Sequence, residues 1–139
     1  MNYLVDANVL SEATKPDPDV RVMSWLLGNS TRLYVTPIVL GELEYGILLL
    51  PQGKKRRRLE AWLADAQGRF PVLDFDFSCA TAWARLLARL KKTGRAMPIK
   101  DSLIAASALV HKLAVATRNT KDFANAGVDV VNPFEADGK

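Results

Sequence analysis

Five residues of this sequence combine acid or amide chemistry with positions where the local pattern changes. Asp6 directly follows the apolar run Tyr3-Leu4-Val5. Glu42 lies six residues past Thr36, about one turn into a helical stretch that Pro37 introduces. Asp101 follows Pro98-Ile99-Lys100 and opens the most apolar helical stretch in the chain, while Asn119 and Asp122 follow the run Leu113–Thr117. Each has a plain structural role available, because Asp and Asn form turns and cap helices. Four carboxylates in one cleft need more than that. Two carboxylates about 5 Å apart repel by roughly 3 kcal/mol at an effective dielectric of about 20. A divalent cation relieves the repulsion, and an all-oxygen donor set suits Mg2+, with Mn2+ as the alternative. One or two such ions activate water and hold both the attacking and the leaving oxygen of a phosphodiester. The chemistry these residues point to is metal-assisted phosphodiester hydrolysis.

Such a cleft exists only if the intervening elements bring the acids to one edge. Tyr3–Val5 reads as a strand buried on both faces, and it is expected to be the centre of the sheet. Asn8 is the expected cap of the helix that follows. A helix begins after Pro16-Asp17-Pro18-Asp19, and Gly28-Asn29 stops it. Leu33–Thr36 is the second strand, β-branched and aromatic. A helix then runs from about Ile38 to Leu50. Gly41 and Gly46 lie inside it at about 1 kcal/mol each relative to alanine, which leads us to expect close packing or a close backbone approach there.

Lys55 to about Gln67 is helical, a short third strand falls within Phe70–Asp76, and Phe77–Lys92 is a helix. Asp101 to about His111 is helical, and Leu113–Thr117 and Val128–Val131 are the last two strands. Strands alternating with helices over short connections give an α/β domain with a mainly parallel sheet. Residues 1–134 are expected to form a single domain, with 135–139 as a short C-terminal tail.

Composition narrows the alternatives. The chain has 139 residues, 49% of them hydrophobic and 24% charged, which suits a globular domain able to bury a core. With one cysteine, Cys79, and one histidine, His111, an intrachain disulfide, a Cys/His zinc site and a Ser/His/Asp or Cys/His nucleophile are all excluded. Cys79 and the tryptophans Trp25, Trp62 and Trp83 are read as packing residues. The net charge of +4 is concentrated in the block Lys54-Lys55-Arg56-Arg57-Arg58 and in a second group, Arg85, Arg89, Lys91, Lys92 and Arg95. The first block is a candidate grip on RNA phosphates. No run of 18 apolar residues and no secretory leader pattern is present, so the expectation is a cytoplasmic protein with no membrane contact.

The sequence resembles the PIN-domain proteins, and more closely the VapC-type (FitB-like) toxin ribonucleases of bacterial type II toxin–antitoxin pairs. Four pieces carry the resemblance, in family order: Leu4-Val5-Asp6-Ala7-Asn8-Val9-Leu10-Ser11-Glu12, Thr36-Pro37-Ile38-Val39-Leu40-Gly41-Glu42-Leu43, Lys100-Asp101-Ser102-Leu103-Ile104-Ala105-Ala106, and Ala116-Thr117-Arg118-Asn119-Thr120-Lys121-Asp122-Phe123. The likeness implies a PIN-like α/β/α sandwich, with a five-stranded, mainly parallel sheet and helices on both faces. It also implies a homodimer, and endoribonuclease activity on tRNA or other structured RNA. A small VapB-like antitoxin is implied too, its C-terminal segment filling the groove.

The family's first three acids map to Asp6, Glu42 and Asp101. The fourth maps either to Asn119, where some members carry an aspartate, or to Asp122. Asn8 and Thr117 match supporting residues of relatives. The expectation is therefore an Mg2+-dependent endoribonuclease in which Asp6 and Asp101 bind the metal. Glu42 and Asp122 complete the catalytic set, one of them orienting or deprotonating water.

Two rivals are weighed against this. A signalling receiver domain would use Asp74 or Asp76 as phosphoacceptor and needs a lysine ending the Val128–Val131 strand, which is absent. A PIN-like RNA-binding module without catalysis would not need the acids that this chain retains.

Overall fold

The computed structural model describes residues 1–135, so nearly all of the expected C-terminal tail lies outside the described residues. Its sheet forms around β1 (Tyr3–Val5). On one side β1 pairs in parallel with β2 (Leu33–Tyr34), Tyr3 opposite Leu33. On the other it pairs in parallel with β3 (Ala114–Ala116), Val5 opposite Ala116, and β4 (Val130–Val131) follows β3 in the same direction. The order is β2-β1-β3-β4, which places the opening strand inside the sheet as its composition suggests. Leu4 and Val5 of β1 and Val115 of β3 are fully buried, which is why the two inner strands are apolar throughout and do not alternate.

Among the described residues four strands form where five were expected. Within Phe70–Asp76 only one parallel bridge survives, between Val35 and Val72. Two hydrogen bonds support it: the Val35 N–H donates to the Pro71 carbonyl at 3.1 Å, and the Leu73 N–H donates to the Val35 carbonyl at 2.8 Å. Pro71 has no N–H to extend the ladder. A few residues later Asp76 turns the chain into a helix, its Oδ1 accepting from the Cys79 N–H at 3.0 Å. Asp76 is thereby a helix cap, which engages one of the two aspartates that a receiver domain could use.

Among the described residues six helices flank the sheet: α1 (Ala7–Leu10), α2 (Val20–Gly28), α3 (Pro37–Leu48), α4 (Lys54–Arg69), α5 (Phe77–Lys92) and α6 (Ile99–His111). Their starts follow local chemistry. Thr36 caps α3 through its hydroxyl, which accepts from the Val39 N–H at 3.3 Å, with Pro37 in the first position. Two 3-10 turns, Ser11–Thr14 and Thr120–Phe123, prolong α1 and follow β3. The α5 helix packs along α6, and α3 packs against α4, α1 and α6. Trp25 meets Tyr3 edge-on with ring centroids 4.9 Å apart, and Cys79 is buried, so both are packing residues as expected. No helix among the described residues is long and apolar enough to cross a membrane.

The α3 glycines are not close-packing positions. A side-chain carbon built at Gly41 or Gly46 meets no atom within 4 Å. Both face open space, so their helix penalty is not offset by packing. We therefore expect Gly46→Ala to raise stability by about 0.5–1 kcal/mol in urea denaturation. Leu4→Ala, at the sheet's centre, should lower stability by about 2–5 kcal/mol in the same measurement.

Candidate active site

The register of β1 and β3 builds the site. Val5 lies opposite Ala116, so the next residues, Asp6 and Thr117, emerge side by side at the carboxyl edge of the parallel sheet. Ligands bind at that edge in open α/β sheets. Asp6 is 1% exposed. Its Oδ1 accepts from the Ala7 N–H at 2.8 Å, and its Oδ2 accepts from the Thr117 hydroxyl at 2.7 Å and from the Asn8 amide at 3.4 Å. Thr117 is anchored in turn, since its Oγ1 accepts from the Asn119 N–H at 3.0 Å.

Asp6, not Asn8, is the cap of α1. The helix starts at Ala7, two residues earlier than an Asn8 cap would allow. Asn8 instead lies within the first turn and ties β1 to the chain after β3, its Oδ1 accepting from the Arg118 N–H at 3.1 Å.

Asp101 arrives from α6. This helix begins at Ile99, with Pro98 in the cap position, so Asp101 sits inside the first turn and does not cap the helix. Trp83 of α5 donates its indole N–H to Ser102 Oγ at 2.9 Å and fixes that end of α6. Asp101 is 3% exposed, and its Oδ1 is buried without a hydrogen-bond partner. Its carboxyl is pushed up to about 6 from an ordinary 3.8, chiefly by burial. Lys100 pulls it down, while Asp6, Asp122 and Glu42 push it further up. All three of the other acids are therefore in electrostatic reach of Asp101.

Glu42, on α3, is half-buried, with Oε1 enclosed and unpartnered. Its Oε2 accepts from the Lys100 ammonium at 2.7 Å, and the same ammonium stands 3.8 Å from Asp101 Oδ1. Burial works against the Lys100 charge, but the bond to Glu42 and the field of Asp6 and Asp101 outweigh it, so its pKa is raised. Lys100 is the site residue that sequence reasoning missed. Its one local signal is a lysine directly before an acid in the first turn of an apolar helix, where cations oppose the helix dipole.

The 3-10 turn after β3 carries the two candidates for the fourth position. Asp122 is half-buried and acts on Asp101 through its charge, while Asn119 is exposed and is tied in through its backbone.

Among the described residues no three carboxylates stand close enough to make a finished metal cage. Mg2+ does not require one, since it takes one or two carboxylates and completes its shell with water and phosphate oxygens. Buried carboxylate oxygens without donors, at Asp101 Oδ1 and Glu42 Oε1, are what a hard cation would satisfy. The donor set therefore fits Mg2+ or Mn2+.

The block Lys54–Arg58 forms the start of α4 and is not uniform. Lys54, Lys55, Arg57 and Arg58 are exposed. Arg56 is half-buried, donates to the Leu50 carbonyl at 3.2 Å and stands 3.5 Å from Glu60. It ties the α3–α4 turn together and is not free for a ligand. A groove of about 380 Å³ is lined by residues of α1 and the turn after it, α3 and α4, with Asn8 and Glu42 beside the apolar Leu43, Ile47, Leu59 and Trp62.

Comparison with known proteins gives the same frame. The PIN domain family matches residues 3–128. The chain is similar to the VapC ribonuclease Y4jK of Sinorhizobium fredii, 38% identical over 138 residues that cover 95% of this chain and 97% of that protein. It is 37% identical to the toxin FitB of Neisseria gonorrhoeae, over 94% of this chain and 97% of FitB. The crystal structure of FitAcB from Neisseria gonorrhoeae superposes with a TM-score of 0.86 at 37% identity, covering 96% of this chain and 99% of that one.

The raised Asp101 carboxyl has a thermodynamic consequence. Its proton is held more tightly in the folded chain, at about 6, than in the unfolded one, at about 3.8. In chelator, stability should therefore fall as pH rises between those two values and level off above them. Asp101→Asn should be more stable than the native chain at about pH 8, by on the order of 1 kcal/mol, and the two should converge near pH 4. Thermal melts at both pH values check this, and equal melting at about pH 8 would show that Asp101 carries no uncompensated charge.

Proposed function

The chain belongs to the PIN-domain family, as a VapC/FitB-type toxin ribonuclease of a toxin–antitoxin system, and on that footing we propose that Asp6, Glu42, Asp101 and Asp122 form its catalytic centre. The observation that supports this reading is a buried Asp101 carboxylate that feels the charges of Asp6, Glu42 and Asp122. Two of the four acids are almost wholly buried, and the burial leaves an Asp101 oxygen without a donor. Asp6 and Asp101 would hold an Mg2+ or Mn2+ ion, which when bound supplies positive charge and an activated water to the scissile phosphate.

The chain's own residues do the rest. Thr117 and Asn8 hold Asp6 Oδ2 in place, and Ala7 N–H holds Oδ1, so the carboxylate is oriented before any substrate arrives. Glu42 or Asp122 accepts the proton of the attacking water, whose oxygen bonds to phosphorus as the opposite RNA oxygen leaves. Lys54, Lys55, Arg57 and Arg58 contact backbone phosphates of tRNA or another structured RNA, and Arg56 does not. Asn119 supports the site through its backbone N–H, which donates to the Thr117 hydroxyl.

A VapB-like antitoxin is the proposed partner. The groove lined by α1, α3 and α4 is the place on this surface that an apolar peptide segment would fill. The unit 1–134 is proposed to act as one domain, as a homodimer, in the cytoplasm where its RNA lies.

Cleavage of a labelled tRNA pool by the purified chain tests the reading. Cleavage should need Mg2+ or Mn2+, stop with EDTA and resume on metal addition. Asp6→Asn should lose at least about 100-fold in rate while remaining folded. Thr117→Val, which removes a donor to Asp6, should lose about 10–100-fold. Undiminished cleavage by folded Asp6→Asn overturns the assignment. Salt-sensitive RNA binding without any cleavage would mark the chain as a binding module.

A further inference from the structure

Lys100 has no place in the four-acid scheme, yet among the described residues it is the only cation whose ammonium pairs with these acids. Its Nζ lies 2.7 Å from Glu42 Oε2 and 3.8 Å from Asp101 Oδ1. It therefore bridges the carboxylates of two different helices. Helix chemistry does not explain a lysine here, because a cation in a first turn faces the positive end of the helix dipole. The carboxylates explain it.

We propose that Lys100 is a built-in cation of the site, whose ammonium fills the place between Glu42 and Asp101 that a second divalent ion would occupy, so that the centre binds a single ion. This rests on the metal-dependent reading above. Charge supports it. Four carboxylates bring four negative charges, of which Lys100 cancels one and one divalent ion two. A second divalent ion beside the ammonium would overcharge the pocket and set like charges against each other. Two-metal centres place their ions only about 3.5–4 Å apart, which leaves no room for an ammonium at the same carboxylates. The unpartnered Asp101 Oδ1, on a side chain 4% exposed, marks where the one ion would attach.

Mn2+ titration of the RNA-free chain tests this by calorimetry, with electron paramagnetic resonance on the saturated samples. The native protein should bind one Mn2+ per chain and give the spectrum of an isolated ion. Lys100→Met should bind two and show the broadening of a coupled pair. Lys100→Arg, which keeps the charge, should return to one. The Lys100 side chain is 40% exposed, so these changes are tolerable to the fold, and Lys100→Gln replaces the methionine variant if that one melts early. Two ions on the native chain, or one ion of unchanged affinity on both neutral variants, overturns the inference and leaves the metal-dependent reading intact. No saturable Mn2+ binding by native or variant chains overturns both.

Discussion

Asp6 and Asp101 are 1% and 3% exposed, and negative charges withdrawn so far from water repel strongly unless each finds a donor or a cation. That constraint organises the whole edge of the sheet. Asp6 is satisfied by a backbone N–H, a threonine hydroxyl and an asparagine amide. Glu42 is satisfied on one oxygen by Lys100. Asp101 is the least compensated, met only by the Lys100 ammonium at 3.8 Å, its Oδ1 without a hydrogen bond and its carboxyl raised to about 6. An arrangement that compensates some of its carboxylates and strands another is poor for stability and suited to binding a cation, and strain of that kind gathers at functional sites.

The fold supplies the geometry at little expense because the sheet is parallel. With β1 inside, neighbouring strands end at the same edge, and β3 delivers Thr117 directly beside Asp6. The helices deliver the others. Thr36 and Pro37 set where α3 starts and so where Glu42 falls, while Trp83 and Ser102 fix the first turn of α6 beside Asp101. The same topology leaves a groove against α3 and α4, adjoining the acids, whose apolar walls are unlike the charged centre.

Much of this was legible in the sequence because it depends on short-range pattern. Apolar runs ending in Asp6 and Thr117 placed both strand ends, and Pro37 placed Glu42 within a turn of its actual position. The features that escaped depend on tertiary contact or on competition between equal local choices. Lys100 and Glu42 are 58 residues apart, and nothing local signals that they meet. Asp6 and Asn8 are both good caps, and the choice turned on where β1 ended. Val72 sits between a proline and a helix cap, so a stretch that reads as a strand yields one bridge. Gly41 and Gly46 looked like packing positions but face open space. Within a block of five basic residues, only the structure separates Arg56, engaged with the Leu50 carbonyl, from its exposed neighbours.

The claim on which the rest hangs is that the buried pair Asp6 and Asp101 is a divalent-cation site. Crystals soaked in Mn2+ and measured at the manganese absorption edge address it without reference to activity. The account predicts an anomalous density peak within direct or single-water reach of both Asp6 Oδ2 and Asp101 Oδ1, with the Thr117 hydroxyl still bonded to Asp6. A soaked crystal with no peak there, or with manganese only at other carboxylates, would contradict it.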